Sequence, residues 1–241
     1  MSSKVRPFAV FDIDGTVIRW QLYHAVSDRL ARDGLIDDES FERVRRTRMD
    51  WKRRTGEDSF QEYEMELVKV FDEALKGMSV AGFEKAAHEV FEEYKDQVYT
   101  YTRDLIHGLK RQGYLLFAIS GSPDIIVKKM TEYYGFDDFA ATTFPSEAGR
   151  FTGAKDLSVG KKPRLLQRLI DKHGTGPEGS LGVGDSEGDI DMLAMVERPI
   201  AFNPSKRLFN HAREQGWEII LERKNVVYEL DLKSKKYVLR T

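Results

Sequence analysis

The chain has 241 residues, 41% hydrophobic and 32% charged, with 38 lysines and arginines against 40 aspartates and glutamates for a formal charge of −2. This length suits one α/β core, or a core with a smaller inserted unit, and the near-neutral balance argues against a nucleic-acid partner, which needs a clustered positive field. Without cysteine there are no disulfides, thiolate metal sites or cysteine nucleophile, and without an apolar leader or a run of roughly 20 apolar residues the chain is expected to be cytoplasmic with no membrane partner.

Phe8, Ala9, Val10, Phe11 and Ile13 form a nearly unbroken apolar run, which predicts a strand buried on both faces, as in a parallel sheet. It runs into Asp12 and Asp14, and Gly15-Thr16 then turns the chain. Alternation along an extended chain puts both carboxylates on one side, where a cation between them would relieve the repulsion.

From Trp20 to about Asp104 the character changes to charged, helix-forming sequence without proline. Leu22, Val26 and Leu30 mark a first helix, followed by helices over Asp38–Thr55, Ser59–Leu75 and Val80–Asp96, the last with Ser79 as its N-cap. The basic run Arg43, Arg45, Arg46, Arg48, Lys52, Arg53 and Arg54 is expected to be a solvated helix face, balanced by Glu57, Asp58, Glu62, Glu64 and Glu66. Residues 20–103 are therefore expected to form a helical cap inserted into an α/β core made of 1–19 and 104–241.

Alternation of helix and strand resumes with a helix over Arg103–Gln112 and a second buried strand, Tyr114–Ile119, entering Ser120-Gly121-Ser122-Pro123. A helix over Asp124–Tyr134, a strand over Phe139–Thr143 and a small hairpin turning at Glu147–Arg150 come next. Lys162 opens a helix with Leu165, Leu166, Leu169 and Ile170 as its apolar stripe. The strand Leu181–Gly184 leads into Asp185-Ser186-Glu187-Gly188-Asp189. A helix over Ile190–Val196, a strand at Pro199–Phe202, a helix over Ser205–Gln215, a strand at Glu218–Leu221 and a terminal hairpin within Asn225–Arg240 complete the chain.

Three buried strands thus end on polar residues. In an open parallel sheet the strand C-termini share one edge, where ligands bind, so Asp12, Ser120 and Asp185 are expected to converge. Ser120 and Gly121 precede a helix, where a hydroxyl and backbone N–H groups can hold phosphoryl oxygens. Asp185 and Asp189 flank a glycine turn and suit a hard, oxygen-loving cation such as Mg²⁺.

Asp12-Ile13-Asp14-Gly15-Thr16, Ser120 at a strand end, Lys162, and Gly184-Asp185-Ser186-Glu187-Gly188-Asp189 together resemble the haloacid dehalogenase-like hydrolase superfamily, in that superfamily's order. The helical insertion between the first two motifs resembles the cap of the phosphoserine-phosphatase-like branch. The resemblance implies a Rossmann-like, doubly wound, mostly parallel sheet with an inserted α-helical cap. It further implies a Mg²⁺-dependent phosphatase that hydrolyses a small phosphorylated metabolite through an aspartyl-phosphate. Asp12 would be the nucleophile and Asp14 the acid and base, while Asp12, the Asp14 carbonyl, Asp185 and Asp189 would hold the metal. Thr16, Ser120 and Gly121 would bind the phosphoryl group and Lys162 would neutralise it, with Lys161 as the neighbouring candidate. Trp20, Gln21, Tyr23 and His24 would line a lid over the leaving group. An acid two residues past the nucleophile sets the chain apart from dehalogenases and ion-pumping ATPases. It leaves phosphotransfer between small alcohols as an alternative, along with a phosphorylatable regulatory or binding module, though such modules are about half as long and lack a large lid. Phosphoserine phosphatases bind the substrate ammonium with an acid and its carboxylate with a cap arginine; those places fall here at Gln21 and near Met65, with an arginine of the basic run Arg43 to Arg54 as the alternative for the second. Oligomeric state is not legible.

Overall fold

The computed structural model describes residues 5–224, 226–233 and 236–239. Its elements, in order, are β1 (Phe8–Phe11), α1 (Leu22–Arg32), α2 (Asp38–Arg53), α3 (Ser59–Leu75), α4 (Val80–Tyr94), α5 (Thr100–Arg111), β2 (Leu115–Pro123), α6 (Asp124–Tyr134), β3 (Asp138–Thr142), β4 (Ser146–Glu147), β5 (Arg150–Phe151), α7 (Lys162–His173), β6 (Leu181–Gly184), α8 (Ile190–Leu193), β7 (Arg198–Phe202), α9 (Lys206–Gln215), β8 (Glu218–Arg223), β9 (Val226–Lys233) and β10 (Lys236–Leu239). Met1–Lys4 and the expected hairpin's end residues, Asn225 and Arg240, lie outside the described residues. Among the described residues no helix is long and apolar enough to cross a membrane.

The chain forms two compact units, one of residues 1–21, 94–142 and 157–241, the other of 22–93 and 143–156. The first is an α/β unit around an eight-stranded sheet of order β10-β9-β8-β7-β6-β1-β2-β3. All neighbours from β8 to β3 pair in parallel; β9 and β10 add an antiparallel end. Every residue of β1 is buried, as a central parallel strand covered on both faces requires. Phe8, Val10, Phe117, Ile119, Leu166, Leu169, Leu193 and Leu208 belong to one continuous apolar core.

Two departures from the expected elements bear on the site. β2 runs on past Ile119 to Pro123, with a register shift against β3 between those two residues; the Ser-Gly-Ser stretch is a bulged continuation of the strand rather than a turn, and bulges re-aim side chains. The helix before β2 also starts earlier than expected, at Thr100, because Glu222 of β8 caps it from afar. Its carboxylate accepts the backbone N–H groups of Thr100 at 3.1 Å and Tyr101 at 2.9 Å. Those are orphan donors of a helix start, and no local side chain serves them.

The helical unit is held by aromatic packing. Tyr23 lies against Phe71 (centroids 4.5 Å apart), Phe71 meets Phe83 and Phe144, and Trp51 stacks on Tyr63 at 5.6 Å. Asp37 caps α2 through Ser40 N–H at 2.8 Å, and Ser79 caps α4 through Gly82 N–H at 3.0 Å. Arg43, Arg45 and Arg48 pair with Glu66, Glu42 and Asp28. The expected boundaries of this unit differ from its actual extent in two places. Residues 94–103 fold with the sheet, and the β4–β5 hairpin joins the helices. Gly77 N–H donates to Phe151 O, Phe151 N–H to Met78 O, and Val80 N–H to Gly149 O, all within 3.0 Å.

Candidate active site

β1 lies between β2 and β6, with β2 and β3 on one side and β6, β7 and β8 on the other, so the strand order reverses at β1. Such a switch point opens a crevice at the strand C-termini. Asp12 sits there, 4% exposed, its N–H donating to Val183 O at 2.9 Å. Lys162 reaches it from the first residue of α7: Nζ donates to Asp12 Oδ1 at 2.7 Å and to Asp189 Oδ1 at 2.5 Å. Lys162 is buried and Lys161 exposed, so the phase of the apolar stripe on α7 decides which lysine points inward.

Asp189 is fully buried, and its second oxygen is also engaged. Oδ2 accepts from Asp185 N–H at 3.2 Å, Ser186 N–H at 3.0 Å and Ser186 Oγ at 3.0 Å, closing the single 3₁₀ turn Glu187–Asp189 as a capping box. Asp189 therefore organises the loop and Lys162 at once. Asp185 is seated by the backbone of Gly15, whose φ is +80° and where a Cβ would come within 2.2 Å of Asp185 Oδ2. Only glycine both adopts that conformation readily and leaves the space.

Oxygens of Asp12, Asp185 and Asp189 lie within 4.8 Å of one another. Burial pushes the Asp12 carboxyl up to about 7, with Asp189 and Asp14 adding to the rise and Lys162 opposing it. Asp185 is pushed well above the usual carboxylate range, by burial first and then by Asp12 and Asp189. Burial works against the charge on Lys162, yet Asp12 and Asp189 outweigh it and hold the ammonium protonated. Among the described residues, the ammonium of Lys162 thus faces four carboxylates, counting Asp14. An all-oxygen donor set short of positive charge fits a divalent cation. Asp12, Asp185 and Asp189 each offer a carboxylate oxygen to such an ion, Asp189 with both of its oxygens also hydrogen-bonded to the loop and Lys162.

Ser120, wholly buried, accepts Ser122 N–H at 3.0 Å and donates from Oγ to Asp14 Oδ2 at 2.7 Å. Thr16 Oγ1 is buried with no hydrogen-bond partner among the described residues, while the Thr16 carbonyl accepts from Thr102 Oγ1 at 2.9 Å. The structure therefore brings Asp12, Asp14, Ser120, Lys162, Asp185 and Asp189 to one sheet edge, with Gly121 adjoining. The four lid candidates divide between the units. Trp20 and Gln21 close the turn after β1 in the α/β unit, where Gly15 N–H donates to Trp20 O at 3.1 Å. Tyr23 and His24 belong to α1, and His24 is enclosed by its own unit, 3% exposed beside Phe60 and Tyr63, whose OH lies 3.3 Å from Nδ1. The His24 ring is thus packed into the helical unit's aromatic cluster. Sequence reasoning missed Thr142 and Ser158, two buried hydroxyls behind Ser120, since neither a polar residue closing a short strand nor one in a loop carries a periodic signal.

A model of the haloacid dehalogenase-like hydrolases matches residues 9–194. A phosphoserine phosphatase of Mycobacterium tuberculosis is 28% identical over 149 residues, covering 60% of this chain and 48% of the relative. This chain thus spans about half the length of that protein. A histidinol-phosphatase of Neisseria meningitidis serogroup C is 24% identical over 233 residues, covering 90% of this chain and 99% of the relative. Among solved structures, a substrate-bound phosphoserine phosphatase superposes with a TM-score of 0.64 at 22% identity, covering 92% of this chain and 96% of its own, a likeness of fold.

Proposed function

The chain belongs to the haloacid dehalogenase-like hydrolase family, and from that premise we propose that it is a Mg²⁺-dependent phosphatase that hydrolyses a small phosphomonoester through an aspartyl-phosphate on Asp12. The observation that carries this reading is the meeting of Asp12, Asp185 and Lys162 at one switch point, a nucleophile, a cation seat and a fixed positive charge within one crevice. The names of the relatives, phosphoserine phosphatase and histidinol-phosphatase, support small phosphomonoesters as the substrate class.

Asp12 attacks phosphorus with a carboxylate oxygen while the bond from phosphorus to the leaving oxygen breaks, and Asp14 delivers a proton to that oxygen. Asp14 then takes a proton from water, whose oxygen attacks the phosphorus, and the bond to Asp12 breaks to release inorganic phosphate. Lys162, held between Asp12 and Asp189, keeps one positive charge fixed beside the nucleophile, so no reorganisation is needed as charge builds. Thr16 Oγ1 has its donor uncommitted and serves a phosphoryl oxygen. Ser120 acts first on Asp14, fixing the carboxyl that shuttles the proton. Asp12, Asp185 and the Asp14 carbonyl, with Asp189 close behind, would hold Mg²⁺, which would supply Lewis-acid polarisation of the phosphoryl group and offset the carboxylate excess.

The test is hydrolysis of a panel of phosphorylated metabolites with Mg²⁺ or excess chelator, for the wild type and Asp12→Asn. Turnover that needs metal and is lost in Asp12→Asn is expected; full activity in chelator, or an active Asp12→Asn protein, refutes the mechanism.

A further inference from the structure

Behind Ser120 stands a line of hydroxyls that the reaction above leaves unused. Ser158, 1% exposed in the loop before α7, donates from Oγ to the Ser120 carbonyl at 2.5 Å. That carbonyl can only accept, so the single Ser158 hydroxyl proton is committed to it. The 3.2 Å contact between Thr142 Oγ1 and Ser158 Oγ therefore runs one way, with Thr142 donating, and Thr142 Oγ1 accepts Ser158 N–H at 3.3 Å in return. Ser120 is committed in the same manner, accepting from Ser122 N–H and donating to Asp14. A directed chain thus runs from Thr142 through Ser158 and the Ser120 residue to Asp14.

Ser120 is where such support is needed. The regular pairing of β2 with β3 stops at Ile119 and resumes at Pro123, so Ser120 stands in the stretch the ladder does not pin. The loop that supplies Ser158 is bound to the site on both sides of it. Val159 packs over Gly121, where a Cβ would lie 3.2 Å from Val159 Cγ2, and Lys162 follows with its ammonium on Asp12 and Asp189.

We propose that Ser158 is a positioning residue, whose hydroxyl locks the Ser120 backbone so that Ser120 Oγ stays aimed at Asp14 while the same loop delivers Lys162 to Asp12. The kinetic meaning of this device rests on the phosphatase reading; the clamp itself does not. Ser158→Ala removes the donor and leaves the Ser120 carbonyl buried without it. Thr142→Val keeps the Ser158 hydroxyl bond to Ser120 and serves as the structural control. In Ser158→Ala, kcat is expected to fall about tenfold, since a misplacement near 1 Å can cost about 10²-fold, with KM within about twofold and the pH limb of kcat shifted. Thr142→Val is expected to lose comparable thermal stability while keeping most of kcat. Amide exchange at Ser122, whose N–H rests on Ser120 Oγ, should rise about tenfold in Ser158→Ala beyond any global change, an arm that needs no turnover. Wild-type kcat and pH profile in Ser158→Ala, kinetic loss that merely tracks stability in both variants, or unchanged Ser122 protection each overturn the clamp. An inactive wild type refutes the phosphatase reading alone, and exchange at Ser122 then decides for or against Ser158.

Discussion

Gly15→Ala changes one methyl group and should disable the site without unfolding the chain. The new Cβ would lie 2.2 Å from Asp185 Oδ2 and 2.9 Å from its Cγ, on a backbone held at φ +80°. Ordinary contact begins near 3.4 Å, so the carboxylate must withdraw by about 1 Å. The left-handed backbone costs an L-residue roughly 1–2 kcal/mol. At roughly 2–4 °C per kcal/mol for a chain of this size, Tm should drop by no more than about 2–8 °C. Catalysis should suffer far more, with kcat/KM about 10²-fold down and the Mg²⁺ requirement raised. The assay is a Mg²⁺ titration of kcat/KM beside thermal unfolding with and without the metal, for Gly15→Ala, Asp185→Asn and the double variant. The two changes act through one carboxylate, so their effects should be strongly non-additive. Wild-type metal dependence in Gly15→Ala, or additivity in the double variant, would refute the assignment of Gly15 as the seat of Asp185.

Asp14→Asn should slow both formation and breakdown of the phospho-enzyme by about 10²–10⁴-fold, read by rapid quench; a normal breakdown rate would move the acid–base role elsewhere. In the helical unit, burial and then Arg48 hold the His24 imidazole down at about 3. Between pH 6.5 and 3 the unfolded chain binds a proton there that the folded one does not, so stability falls as pH falls, by about 2 kcal/mol at pH 5, and nothing is lost above pH 6.5. Urea unfolding should show a shallower pH slope for His24→Phe in that window, and equal slopes would contradict the linkage. Phosphoserine should rank below other phosphomonoesters in kcat/KM, because neutral Gln21 stands at the ammonium-binding place and Met65, 73% exposed, near the carboxylate-binding one. Phosphoserine at the top of the ranking would show that inference to be wrong.

Whatever the chain encodes locally could be read from it. The apolar run into Asp12 and Asp14 announces a buried strand ending in charge, and the leucines after Lys162 mark a helix there without deciding between Lys162 and Lys161, a choice made by the contact of Lys162 with Asp12. The acids at 185 and 189 bracket their own turn. What escaped is non-local. Glu222 caps a helix that begins more than a hundred residues earlier, and the β4–β5 hairpin reaches back to the backbone at Gly77 and Met78. Ser158 has no pattern to betray it, because its meaning lies in one carbonyl of a bulged strand. The environment of His24 is likewise set from a distance, by the aromatic packing of α1 on α3.

The position of β1 sets the order in which this protein can be made. Ala9 must pair with Leu116 on one side and Leu181 on the other. At about 5–20 residues per second of synthesis, the second partner emerges roughly 10–35 s after β1 itself. Throughout that interval the first strand of the chain, which leads into Asp12 and is apolar on both faces, has at best one neighbour and an open edge. Closing a loop of about 170 residues to complete the sheet also makes refolding slow, since its entropy is spent before the contact forms. The residues that carry the chain into the candidate site are thus the ones the nascent chain must protect longest from association with other chains.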